Sequence, residues 1–177
     1  MIKFLFRNSF WAIRKRPKIS IPYTYFDLIV EIAGLAAILS MWIVFIVTYS
    51  GLPDLIPTNY NFSGQAYNFG DKSFIIKFPV IATVLFVGMT ILSRFPRIFN
   101  YPVVITENNA FFQYSNMARM VRCVNLSIVL VFLFVVLQPV LYTSENIGIW
   151  CTFLLLAIAL ITLILVIYFM VKSFKYR

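Results

Sequence analysis

Few side chains in this sequence are suited to chemistry, and most of them fall in one segment. Asp54 and Asp71 are carboxylates close in sequence to Lys72, a grouping that makes an ion pair or, together with loop carbonyls, a weak cation site. Ser50 and Ser63 add hydroxyls nearby, the raw material of a Ser or Asp hydrolase. A hydrolase also needs a base, and the 177 residues contain no histidine. That removes Ser-His-Asp triads and imidazole metal ligation. Cys123 and Cys151 each sit at the end of a long apolar run with no second thiol at ligand spacing, so neither a metal centre nor a disulfide framework is expected. The expectation is a protein that is not an enzyme, with no cofactor and no metal.

The elements that position these residues follow from composition. The chain is 62% hydrophobic and 12% charged, with a mean hydropathy of +0.90, whereas soluble domains average about 45–50% apolar and about 25% charged residues. Apolar runs predict four crossings, at residues 28–49, 74–93, 123–142 and 147–171, the third as the embedded part of a helix spanning 107–142, each long enough at about 1.5 Å per residue for a hydrocarbon core of about 30 Å. The second run is short unless it borrows from its flanks, with Pro79 in an early turn and Lys77 snorkelling to the interface. Residues 143–146 leave room only for a tight antiparallel connection. The expected fold class is an all-α integral membrane protein of four transmembrane helices.

Charge placement orients it. The net charge of +9 would suggest nucleic acid in a soluble protein, but 13 of the 15 Lys and Arg lie before the first helix, between the second and third, or after the fourth. Basic flanks resist translocation, so both termini, the loop 94–106 and the tail 172–177 are expected in the cytoplasm, and no nucleic-acid partner is expected. Residues 1–20 place Ile2, Leu5, Phe6, Phe10 and Ile13 on one helical face beside Lys3, Arg7 and Arg14. This is the pattern of a basic segment lying on anionic lipid, so the bilayer itself is the first expected partner.

The loop 50–73 is then on the outside, and it is too rich in Leu, Ile, Tyr and Phe to be disordered. A compact cap is expected there, its prolines fixing φ and its glycines permitting turns. It reads Leu52-Pro53-Asp54-Leu55-Ile56-Pro57-Thr58-Asn59-Tyr60-Asn61-Phe62-Ser63-Gly64-Gln65, then Gly70-Asp71-Lys72. This resembles the outer loop of the SdpI-type bacterial membrane proteins, whose pattern is approximately L-P-x-x-I-P-x-H-x-N-x-x-G followed by G-x-K, with Asn59 where that family usually has His. Asn100-Tyr101-Pro102, Ile105-Thr106, Asn108 and Tyr114 extend the resemblance over residues 49–122. The resemblance implies a domain of unassigned activity in most relatives, and immunity to a secreted toxin in the best-known branch. It nominates Pro53, Asp54, Pro57, Asn59, Asn61, Gly64, Asp71 and Lys72 as a binding motif for a secreted peptide.

On the cytoplasmic side, Thr106 is expected to cap a third helix starting near Glu107. Ala110, Phe111, Tyr114, Met117, Ala118 and Val121 make its first turns amphipathic. Packing on the membrane or on the amino-terminal segment explains that face, and a docking surface for a cytoplasmic partner is the alternative. Glu31, one turn after Asp27, is the acid nearest the bilayer centre, and an interfacial role beside Arg or Lys is expected for it rather than a proton relay. Gly34, Ala36 and Ala37 permit one close helix approach. Two functions follow as expectations: recognition of a secreted peptide in immunity or sensing, and an accessory or scaffold role beside another membrane protein.

Overall fold

The computed structural model describes residues 16–61, 65–141 and 147–176. Most of the amphipathic segment, Gly64 and the 143–146 connection lie outside the described residues. Four long helices form: α1 (Tyr25–Thr48), α2 (Lys77–Ser93), α3 (Ala110–Leu141) and α4 (Ile147–Lys175). All four are long and apolar enough to cross a membrane, counting the 3-10 turn Lys72–Ile76 with α2. The protein is a multi-pass membrane protein.

Local signals set the helix ends. α1 begins ahead of its apolar run because Thr24 and Asp27 form a capping box: the Thr24 N–H donates to Asp27 Oδ2 (2.9 Å), and the Asp27 N–H donates to Thr24 Oγ1 (3.4 Å). Two otherwise orphaned donors are thereby satisfied. The shortness of α2 is made up by the 3-10 turn, which rises about 2 Å per residue, so the 22 residues from Lys72 to Ser93 reach across the core. α3 begins at Ala110, after Thr106. There Asn109 Oδ1 accepts from the Thr106 N–H (2.9 Å) while its Nδ2 donates to Val104 O (3.0 Å), holding 104–109 as a turn.

α3 is the central helix, packed against α1, α2 and α4. Its Val129 and Val136 join Ala37, Ile38 and Met41 of α1 and Ala82 of α2 in the main core. Gly34 on α1 faces Phe86 on α2, and a Cβ there would stand 2.6 Å from Phe86 Cε2. Polar bonds fix the register between helices: Trp42 Nε1 donates to Thr83 Oγ1 (3.0 Å), and Asn125 Nδ2 donates to Phe86 O (3.1 Å) and Thr90 Oγ1 (3.2 Å). α4 is held at one end by Gln113, whose Nε2 donates to Ser173 O and Tyr176 O (both 2.9 Å), and by Asn116, whose Nδ2 donates to Phe169 O (2.8 Å). Few residues of its apolar span are fully buried.

The all-α expectation needs one correction. Between α1 and α2 the chain forms an antiparallel hairpin, β1 (Leu55–Tyr60) with β2 (Ala66–Asp71). Leu55 pairs with Asp71, Ile56 with Gly70, Pro57 with Phe69, Asn59 with Asn68 and Tyr60 with Ala66, with irregularities about Pro57–Tyr60. A lone hairpin is marginal in water. This one is stabilised because Leu52, Ile56 and Ile75 are buried in the same core as Val136.

Candidate functional site

Two clusters of polar residues stand at opposite ends of the helices. The first is the hairpin. The Lys72 ammonium pairs with Asp54 Oδ1 at 3.0 Å, donates to Leu52 O at 3.4 Å and sits 5.8 Å from the centre of the Tyr49 ring. The Lys72 N–H also donates to Asp54 O (2.9 Å), so Lys72 clasps the base of the hairpin where it leaves α1. Asp71 does not share that pair. Its Oδ1 accepts from the Ser73 N–H at 2.7 Å, capping the turn before α2 and holding its carboxyl below the usual carboxylate range. The two carboxylates are thus engaged separately.

The remaining motif residues do similar local work. Asn61 closes the hairpin: its N–H donates to Gln65 O (2.9 Å), its Oδ1 accepts from the Gln65 N–H (2.8 Å), and its Nδ2 donates to Gln65 Oε1 (3.1 Å). Asn59 accepts across the strands from Asn68 Nδ2 (3.2 Å). Gly70 lies so close to Thr58 that a Cβ would come within 2.8 Å of its methyl. Pro57 is buried beside Ile56, whereas Pro53 is exposed. Ile56, Pro57 and Tyr60 face Val135, Gln138 and Pro139 of α3 around a cavity of about 40 Å³. What the hairpin presents outward is a different set: Leu55, Tyr67 and Phe69, which are 64%, 67% and 52% exposed. Tyr67 and Phe69 lie outside the motif that the sequence nominates, and their alternation along β2 is the strand signal that marks them.

The second cluster lies where α1 begins. Arg122 of α3, 8% exposed, donates from Nη1 to Asp27 Oδ1 (2.7 Å) and from Nε to Glu31 Oε1 (3.0 Å). Arg94, just after α2, takes the other Glu31 oxygen at 3.0 Å, and Arg119 Nε approaches Asp27 Oδ1 at 3.8 Å. Asp27 and Glu31 are one helical turn apart and so face the same partner. The cluster ties three helices together at one level. Tyr23 lies under the Arg94 and Arg122 guanidiniums, 5.1 and 5.0 Å from its ring centre. The residue is 42% exposed, yet desolvation followed by the neighbouring Glu31 carboxylate pushes its pKa up to about 12.

Beyond this cluster the 16–24 segment is fastened to the α2–α3 loop. Arg16 Nη1 donates to Arg97 O (2.8 Å) and Phe99 O (2.6 Å), and the Tyr114 hydroxyl donates to Pro17 O (3.1 Å). Tyr101 packs on Tyr114 and donates to Pro96 O (2.7 Å), and burial drives its phenol well above the usual tyrosine range.

Residues 36–83 match a domain of unknown function (DUF1648). The matched stretch runs from mid-α1 through the hairpin into α2. A second likeness is to an uncharacterized protein of Archaeoglobus fulgidus, 29% identical over 77 residues, covering 39% of this chain and 42% of that protein. The chain therefore spans less than half the length of that relative. No solved structure matches.

Proposed function

We propose that this is a non-catalytic membrane protein with both termini in the cytoplasm, whose hairpin faces outward and recognises a secreted peptide in immunity or sensing. The observation that carries the reading is the division of labour in the hairpin. Asp54, Asn59, Asn61, Gly70, Asp71 and Lys72 are occupied in holding its shape, while Leu55, Tyr67 and Phe69 stand exposed. Among the described residues no third strand pairs with either outer edge. A two-stranded sheet with open edges and aromatic side chains suits an extended peptide, which adds a strand through backbone bonds and seats alternate side chains. The outward orientation is supported by the 13 cations that flank the opposite ends of the helices. The SdpI-type resemblance of the loop supports a secreted toxin as the peptide. Chemistry is disfavoured by the lack of any imidazole in the sequence.

The test is survival of cells challenged with each co-encoded secreted peptide. Cells carrying the protein should outlive cells without it, and Tyr67→Ala with Phe69→Ala should remove the protection while leaving the protein level unchanged. Equal survival of all three overturns the reading. A second reading, an accessory or scaffold subunit, is favoured by α4, which leaves Leu156, Leu160, Leu163, Ile164 and Ile167 exposed to lipid or to another membrane protein. Crosslinking in membranes that recovers only free protomer counts against it.

A further inference from the structure

A cavity of about 180 Å³ lies between the segment before α1, the early turns of α3 and the last turns of α4, lined by Pro22, Thr24, Ser115, Asn116, Arg119 and Lys172. Its chemistry is one-sided. Arg119 reaches a carboxylate only at 3.8 Å, and that carboxylate, Asp27, is already held by Arg122 at 2.7 Å and by Thr24. Lys172 lies against the rings of Phe112 and Tyr168, 5.7 Å from each centre, and among the described residues no carboxylate is within ion-pair distance of it. The chain has only six acids; at this end Asp27 and Glu31 are already shared among Arg94, Arg119 and Arg122, and Glu107 is not among the residues that line the cavity. Two half-buried cations thus face one cavity with little counter-charge from the protein, an arrangement that an anion stabilises.

Depth in the membrane identifies the anion. The uncharged stretch of α3 that follows Arg122 runs from Cys123 to Leu141, about 28 Å at the helical rise, which matches the hydrocarbon core. Arg119 is three positions before Arg122, about 4.5 Å further along the axis. The headgroup layer, about 5–7 Å thick, begins at Arg122 and so includes Arg119.

We propose that this cavity is a binding site for the headgroup of an anionic phospholipid, with Arg119 and Lys172 on the phosphate. The inference goes beyond the hairpin reading and stands without it. The experiment is native mass spectrometry of the full chain released from micelles containing equal phosphatidylglycerol and phosphatidylcholine. The expected result is retained phosphatidylglycerol at a preference of about 30-fold, the value that two cations near a charged surface supply. Arg119→Gln with Lys172→Gln should reduce the preference to near unity, and Lys172→Arg should keep it. Equal retention of the two lipids by the natural chain overturns the proposal, as does a preference that survives the double substitution. Displacement of the lipid by millimolar inorganic phosphate overturns the lipid assignment in favour of a free-phosphate site. Circular dichroism of the double variant separates loss of the site from loss of the fold.

Discussion

Replacing Arg122 by methionine keeps most of the aliphatic bulk and removes the charge that joins α1 to α3. Arg122 is 8% exposed, and its carboxylate partners Asp27 and Glu31 are 4% and 15% exposed. Removing one member of a buried ion pair costs about 3–5 kcal/mol, because a charge is left in a poor solvent. Compensation places this case at the lower end: Glu31 keeps Arg94 at 3.0 Å, and Asp27 keeps its Thr24 bonds with Arg119 at 3.8 Å. Arg122→Met should therefore destabilise by about 3 kcal/mol, read as equilibrium unfolding of the purified chain in mixed micelles by circular dichroism. Adding Asp27→Asn to Arg122→Met should recover part of the loss, since the stranded carboxylate is its main source. Arg122→Lys should fall between, because one ammonium cannot span both carboxylates as the guanidinium fork does. A cost below about 0.5 kcal/mol for Arg122→Met, the range of ordinary surface substitutions, or strict additivity with Asp27→Asn, would refute the reasoning.

Three further outcomes follow from packing, capping and burial. Gly34→Ala puts a methyl 2.6 Å from Phe86 Cε2 and should cost about 1–3 kcal/mol as an overpacked contact. Phe86→Leu should relieve most of that cost, and thermal unfolding of the two single variants and the double variant tests it. Thr24→Ala removes the capping box of α1 and should cost about 1 kcal/mol, measured as a lower melting temperature in detergent; no change would mean that the box is not formed. Burial favours the neutral Tyr101 phenol in the folded chain, so its folded pKa lies above the unfolded value of about 10. Its contribution is complete below that pH and is lost as pH rises through the folded value. The ultraviolet titration difference between the natural chain and Tyr101→Phe should show no ionisation near pH 10, and a full step there would contradict the burial.

Long uncharged apolar runs are a strong signal, and the four helices fall where those runs are. Their ends are less legible, because an apolar run does not reveal a cap: Thr24 and Asp27 start α1 earlier than the run does, and α3 starts at Ala110 rather than near Glu107. The hairpin carries a weak strand signal. Its strands have six residues each, Pro57 lies inside one, and Asn59 and Asn68 lower the strand propensity of the pair. The loop motif was legible as residues but not as roles, since Lys72 pairing with Asp54 rather than Asp71 depends on a register fixed by the core beneath. The Asp27 and Glu31 pair was visible at helical spacing. Its partner Arg122 stands 91 residues from Glu31, and only the packing of α3 against α1 brings the two together.

The orientation of the hairpin carries everything proposed for it. In a variant with Cys123→Ser and Cys151→Ser, Tyr67→Cys and Asn108→Cys place single thiols at opposite ends of the helices. Labelling intact cells with a membrane-impermeant maleimide should modify position 67 and leave position 108 untouched until the membrane is opened. Labelling of position 108 with protection of position 67 would put the hairpin in the cytoplasm and contradict recognition of a secreted peptide there.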